Sequence, residues 1–186
     1  MILELKDYQL EAAAKVTSHL RKASAQYSVD REHGSVSLSA PTGAGKTVIA
    51  AAVIERIIFG DPDTDAPGDP DAIFLWLTDD PALNEQTRKK LRDASGDRLS
   101  SSNLITLDDG FDQTEFDGGK VYFLNIQKIR AGANLITRRE GRRRVTLWET
   151  INTTIRNKGS HFYLVIDEAH RGTGRRSGED QTITQR

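Results

Sequence analysis

The chain has 186 residues, with 26 lysines and arginines against 27 aspartates and glutamates for a net charge of -1. That length holds one ordinary domain with its own core and leaves no room for a second of similar size, and the balanced charge means that any polyanion contact must come from local patches. With no cysteine, disulfides, thiolate zinc sites and cysteine nucleophiles drop out together; no apolar run approaches a membrane span, and Met1-Ile2-Leu3-Glu4-Leu5 carries acid where a signal peptide carries base, so a soluble, cytoplasmic protein is expected.

From Asp7 to Tyr27, apolar or small residues recur at Leu10, Ala13, Ala14, Leu20, Ala23 and Tyr27, a spacing that predicts an amphipathic helix. Val36 to Ser39 is a short strand candidate. It feeds Ala40-Pro41-Thr42-Gly43-Ala44-Gly45-Lys46-Thr47, and Val48 to Phe59 is then apolar on nearly every side until Gly60, which predicts a buried helix. A strand that turns through glycines into a helix leaves backbone N–H groups pointing at one spot, where the helix dipole adds partial positive charge. That spot suits a triphosphate. Thr42 to Thr47 would cradle it, Lys46 would meet its β- and γ-phosphates, and the Thr47 hydroxyl would be a ligand to Mg²⁺. The usual pattern opens with glycine where this loop has Ala40, while Gly43 and Gly45 keep the close backbone approach.

Residues 60–72, rich in aspartate and proline, have no periodicity and read as a mobile acidic surface loop. Ile73 to Leu77 is an unbroken apolar run of strand length, and Asp80-Pro81 resembles a helix N-cap with proline in the first turn, the helix ending near Ala94 before Gly96. Asn103 to Leu107 is a weaker strand, Val121 to Leu124 a better one and Phe162 to Ile166 the clearest. Leu147, Trp148, Ile151 and Ile155 mark a further helix face closed by Gly159. Continuous apolar strands separated by helices predict an α/β fold, an open and mostly parallel sheet with helices on both faces. Residues 1–30 would form the N-terminal helix and 31–186 the core.

Leu164-Val165-Ile166-Asp167-Glu168-Ala169-His170 sets two carboxylates directly after a buried-type strand, where open parallel sheets bind ligands. The phosphate loop should emerge on the same sheet edge. Asp167 can then hold Mg²⁺, and Glu168 can orient or deprotonate the water that attacks the γ-phosphate.

Ala40 to Thr47 together with Asp167-Glu168-Ala169-His170 resembles motifs I and II of the superfamily 2 helicases and translocases, in the DEAH-type branch that includes the motor subunits of type I and type III restriction enzymes. Leu5-Lys6-Asp7-Tyr8-Gln9 is similar to that family's adenine-recognition element, which implies Gln9 as the adenine contact, with Lys6 where the family often has arginine. Thr78 to Gln86 resembles motif Ia and Asn125-Ile126-Gln127-Lys128 motif Ib, so the resemblance implies that Thr78, Gln86, Asn125, Gln127 and Lys128 line a nucleic-acid track gripping backbone phosphates. It also implies a RecA-like P-loop NTPase domain, ATP and Mg²⁺ as ligands, duplex DNA as partner, and His170 as the coupler of motif II to the nucleic-acid side. The family's Ser/Thr-Ala-Thr element, arginine finger and second RecA-like domain have no counterpart before Arg186. The domain is therefore expected to be incomplete at its C-terminal side, nearly inactive by itself, and completed by partners that include a nuclease or modification subunit.

Arg138, Arg139, Arg142, Arg143 and Arg144 make a basic loop at 137–145, and Arg171, Arg175 and Arg176 follow motif II; either cluster could grip phosphate or lie on a solvated surface. Trp76 and Trp148 sit in apolar patterns and read as core. His19, His33 and His161 lack companions at metal-ligand spacing and read as surface or packing residues. Two other functions compete with a motor: a non-enzymatic module that binds DNA or a partner through its arginines, and a small stand-alone P-loop ATPase or nucleotide kinase.

Overall fold

Ile73 to Leu77 is apolar at every position, and a strand of that kind is stable only with both faces covered. It lies inside the sheet of the computed structural model, which describes residues 4–79, 81–96, 98–129 and 144–167. The helices are α1 (Asp7–Asp30), α2 (Lys46–Phe59), α3 (Pro81–Ser95) and α4 (Leu147–Lys158), and the strands are β1 (Ile73–Thr78), β2 (Leu104–Thr106), β3 (Lys120–Asn125) and β4 (Phe162–Ile166). The strands run β2-β3-β1-β4, every pairing parallel, with Ile73 level with Lys120 and Phe162.

Alternation along the strands divides the core in two. Phe74, Trp76, Val121 and Phe123 pack with Ala13, Ile49, Ile54, Ile57 and Leu91 from α1, α2 and α3. On the opposite face Ile73, Leu75, Leu77, Tyr122 and Leu124 pack with Leu147 and Ile151 of α4, and with Phe116 from the loop before β3. Thr146 caps α4 by accepting from Glu149 N–H at 3.3 Å, while the Glu149 carboxylate accepts from Thr146 N–H at 2.7 Å, the reciprocal pair that fixes a helix start.

Three local expectations shift. Residues 31–40 form no strand, so Val36 to Ser39 is irregular; a strand exists only through its ladder, and no described strand lies beside this segment, although Leu38 packs against the core. The buried stripe of α1 is Gln9, Ala13 and Thr17, which turns Leu10 and Ala14 outward. Trp148 is 41% exposed, because Leu147, Thr150, Ile151 and Thr154 make the buried face of α4 and Trp148 stands about 100° away from Leu147 around the helix. Gly159 closes α4 as expected, with φ of -59, and the chain continues into a 3₁₀ turn, Gly159–His161.

The acidic loop is tied to α2. Asp61 is buried and bridges to Ala66 in antiparallel fashion, its carboxylate lies 3.5 Å from the Arg56 guanidinium, and Asp69 N–H donates to Ile57 C=O at 2.7 Å. The same turn holds Arg98, which ion-pairs with Glu55 at 3.6 Å and lies 4.9 Å from the centre of the Phe59 ring. Burial pushes the Glu55 carboxyl above its ordinary range.

Candidate nucleotide-binding site

Helices α1 and α2 run side by side in the same direction. Gln9 Nε2 donates to Ala44 C=O at 3.0 Å, and farther along both helices Arg21 Nη2 donates to Arg56 C=O at 2.8 Å. Their far ends lie where the strands begin: Ile57 C=O meets Asp69, three residues before Ala72 and β1, and Ser24 Oγ donates to Ser160 C=O just ahead of β4. A 14-residue helix spans about 21 Å, close to the length of a six-residue strand. Its other end, with the phosphate loop, is therefore carried to the edge where the parallel strands finish. Thr78, Asn125 and Asp167 stand at that edge, Thr78 in register with Asn125 and Asp167 N–H donating to Leu77 C=O at 3.1 Å.

Sequence dictates the loop's shape. Gly43 and Gly45 have φ of 84 and 82, a region other residues enter only with strain. A Cβ at Gly43 would meet nothing within 4 Å, whereas one at Gly45 would lie 2.5 Å from Gln9 Nε2. Ala44 N–H donates to Pro41 C=O at 3.1 Å, which closes the turn. Among the described residues, the N–H groups of Gly45, Lys46 and Thr47 have no acceptor. These three donors open α2, where the helix dipole favours an anion. The Lys46 ammonium donates to Ala40 C=O at 3.0 Å, so the loop's own carbonyl stands in for an anionic partner. Open space, three unpaired donors and a cation that has found only a neutral carbonyl fit a polyphosphate.

Gln9 is buried. Besides its bond to Ala44, its Oε1 accepts from Lys6 N–H at 3.1 Å, fixing the start of α1; one amide proton and one lone pair remain. Tyr8, which sequence reasoning left aside in favour of its neighbour, also donates to Ala44 C=O, at 3.0 Å.

The residues expected to track nucleic acid divide. Thr78 is buried and donates to Asn84 Oδ1 at 2.6 Å. Asn125 is buried with its Oδ1 accepting from Gln127 N–H at 2.8 Å, and its Nδ2 has no partner among the described residues. Gln86 and Gln127 are exposed, and Lys128 lies 3.6 Å from Asp109. Glu168, Ala169 and His170 lie outside the described residues, as do Arg171, Arg175, Arg176, Arg138, Arg139, Arg142 and Arg143. Arg144 pairs with Asp112, whose carboxylate also accepts from the Arg144 and Val145 N–H groups. His161 Nδ1 lies 2.7 Å from Asp69, and no group of three or more potential metal ligands occurs among the described residues. None of the described helices is long and apolar enough to cross a membrane.

The chain matches no curated protein and no solved structure. It does match the family described as type III restriction enzyme, res subunit (ResIII), over residues 2–185. A parallel sheet, a glycine-shaped anion loop opening a buried helix and an acid at the strand ends are what a helicase-like, ATP-binding domain of RecA-like fold requires, and the chain belongs to the type III restriction enzyme res subunit family.

Proposed function

We propose that the loop Thr42 to Thr47 binds the phosphates of Mg²⁺-ATP, and that hydrolysis there drives movement along duplex DNA in the restriction enzyme of which this chain is the ATP-binding part. The observation that carries the reading is the set of unpaired N–H groups at Gly45, Lys46 and Thr47 beside an ammonium bonded only to Ala40 C=O. On phosphate binding, Lys46 exchanges that uncharged acceptor for the anionic β- and γ-phosphate oxygens, which adds the attraction of opposite charges to the hydrogen bond. The Thr47 hydroxyl and the Asp167 carboxylate would hold Mg²⁺, whose charge would supply electrostatic stabilisation to the transferring phosphoryl group. Glu168 orients the attacking water and accepts its proton. Gln9 reads adenine with its remaining amide proton and lone pair, since the base edge offers one acceptor, N7, beside one donor, N6–H. Gln86, Gln127 and Lys128 meet the DNA backbone, Thr78 and Asn125 support that track from beneath as buried residues, and His170 couples it to the acids. The family supplies the supporting context of DNA and further subunits as partners.

Lys46→Ala tests the assignment. Mg²⁺-ATP at about 100 times its Kd should stabilise the wild-type chain by about 2.7 kcal/mol through mass action, read as a rise in Tm, and the variant should lose most of that rise. A variant whose Tm still climbs with ATP as the wild type does would place the nucleotide elsewhere.

A further inference from the structure

The Ala44 carbonyl accepts two side-chain hydrogen bonds, from the Tyr8 hydroxyl at 3.0 Å and from Gln9 Nε2 at 3.0 Å. A carbonyl oxygen has two lone pairs, so the pair saturates it. The same peptide unit carries the Gly45 N–H, and no peptide among the described residues is cis. In a trans peptide the C=O and N–H point in opposite directions. Holding the Ala44 carbonyl toward α1 therefore turns the Gly45 N–H away from α1, and among the described residues that N–H has no acceptor.

The loop alone does not fix this orientation. Rotating the 44–45 peptide changes φ of the following residue, and glycine populates positive and negative φ about equally, so Gly45, at φ 82, resists a flip only weakly. A flip would bring the Ala44 carbonyl into the space a phosphate needs and place oxygen against oxygen. Something outside the loop has to bias the peptide, and the first turn of α1 touches it twice.

We propose that Tyr8 is a positioning residue: with Gln9 it clamps the Ala44 carbonyl and so presents the Gly45 N–H to the phosphates. The proposal rests on the phosphate-loop reading above and adds a specific demand. Tyr8 is 47% exposed and its ring could instead stack on a base; the clamp acts through the hydroxyl and ignores the base. Loss of the hydroxyl must then weaken every polyphosphate ligand alike.

The experiment uses the 186-residue chain, wild type and Tyr8→Phe, titrated in Mg²⁺ with ATP and separately with inorganic tripolyphosphate. One net hydrogen bond to a carbonyl corresponds to about a three- to tenfold change in affinity; Tyr8→Phe is expected to weaken both ligands by the same factor in that range. The Tm without ligand should stay within about 2 °C of wild type, since surface changes of this kind cost little. The Gly45 amide proton should move downfield on tripolyphosphate binding in the wild type, as a charge-assisted bond deshields it, and move less in the variant. Unchanged tripolyphosphate affinity, or a loss confined to ATP, overturns the clamp while leaving the phosphate-loop reading intact. A wild-type chain that binds neither ligand overturns the phosphate-loop reading itself and the clamp with it.

Discussion

Gly159 shows at residue scale how one hydrogen atom sets the distance between two elements. A Cβ there would lie 2.5 Å from Tyr27 Cε1 and 2.6 Å from its hydroxyl, and the Tyr27 ring also lies 5.3 Å from the Arg31 guanidinium carbon. Its φ of -59 is open to any residue, so the glycine is required by the approach of α1 and not by the backbone. Gly159→Ala should therefore cost about 1–2 kcal/mol, near the low end of overpacking because only the far end of the ring is in the way. In a Tyr27→Ala background the same change should turn neutral or stabilising, since alanine is the better helix former by about 0.8–1.0 kcal/mol. Urea midpoints of the four proteins decide it: equal costs in both backgrounds would mean the ring is not what the glycine avoids. Sequence alone reads Gly159 as a helix stop, because the partner that demands it is more than a hundred residues away in the chain.

At the scale of elements, helix and strand existence was legible and their partners were not. Apolar runs announced β1, β3 and β4, and the expected helices stand within a few residues of α1 to α4. Val36 to Ser39 failed because strand pairing is a tertiary property that four residues cannot carry, and the acids of 60–72 could not be seen to pair with Arg56 and Ile57. The loop before β3 carries a similar hidden tie. Phe116 N–H donates to Thr154 Oγ1 at 3.0 Å inside the protein, and Thr154 Oγ1 donates to Thr150 C=O at 2.8 Å. Thr154→Val keeps the shape of the side chain but leaves a buried N–H unpaired, which should cost about 1–3 kcal/mol. Thr154→Ser keeps the bond. Amide exchange at Phe116 separates the two: protection should fall in the valine variant and persist in the serine one, and persistence in both would show that the hydroxyl does not hold this loop. On the same side Tyr122, whose oxygen accepts from Asp117 N–H at 3.0 Å, has its hydroxyl pushed up to about 12 by burial, so it stays neutral and bonded across the ordinary pH range.

The described residues form three layers in which one sheet serves two cores, and the candidate site draws on both. The helices of one face deliver the phosphate loop and Gln9, while the strand ends that both faces support deliver Asp167, Thr78 and Asn125 to the same edge. The loop at 42–47 and Asp167 stand in the sequence at motif spacing, whereas the bond from Tyr8 to Ala44 C=O joins residues 36 apart on different elements and leaves no spacing to detect. Separate cores also make a thermodynamic demand. Ile54 of α2 is 2% exposed in one cluster and Ile151 of α4 is 9% exposed in the other, with the sheet between them. Ile54→Val and Ile151→Val should each cost about 0.5–1.5 kcal/mol, and the double variant should cost their sum to within about 0.5 kcal/mol. Equilibrium denaturation of the three variants measures this, provided the slope with denaturant is unchanged. A coupling of 1 kcal/mol or more would mean that the sheet transmits packing strain from one face to the other, and the phosphate loop would then be sensitive to changes around α4 as well as to those around α1.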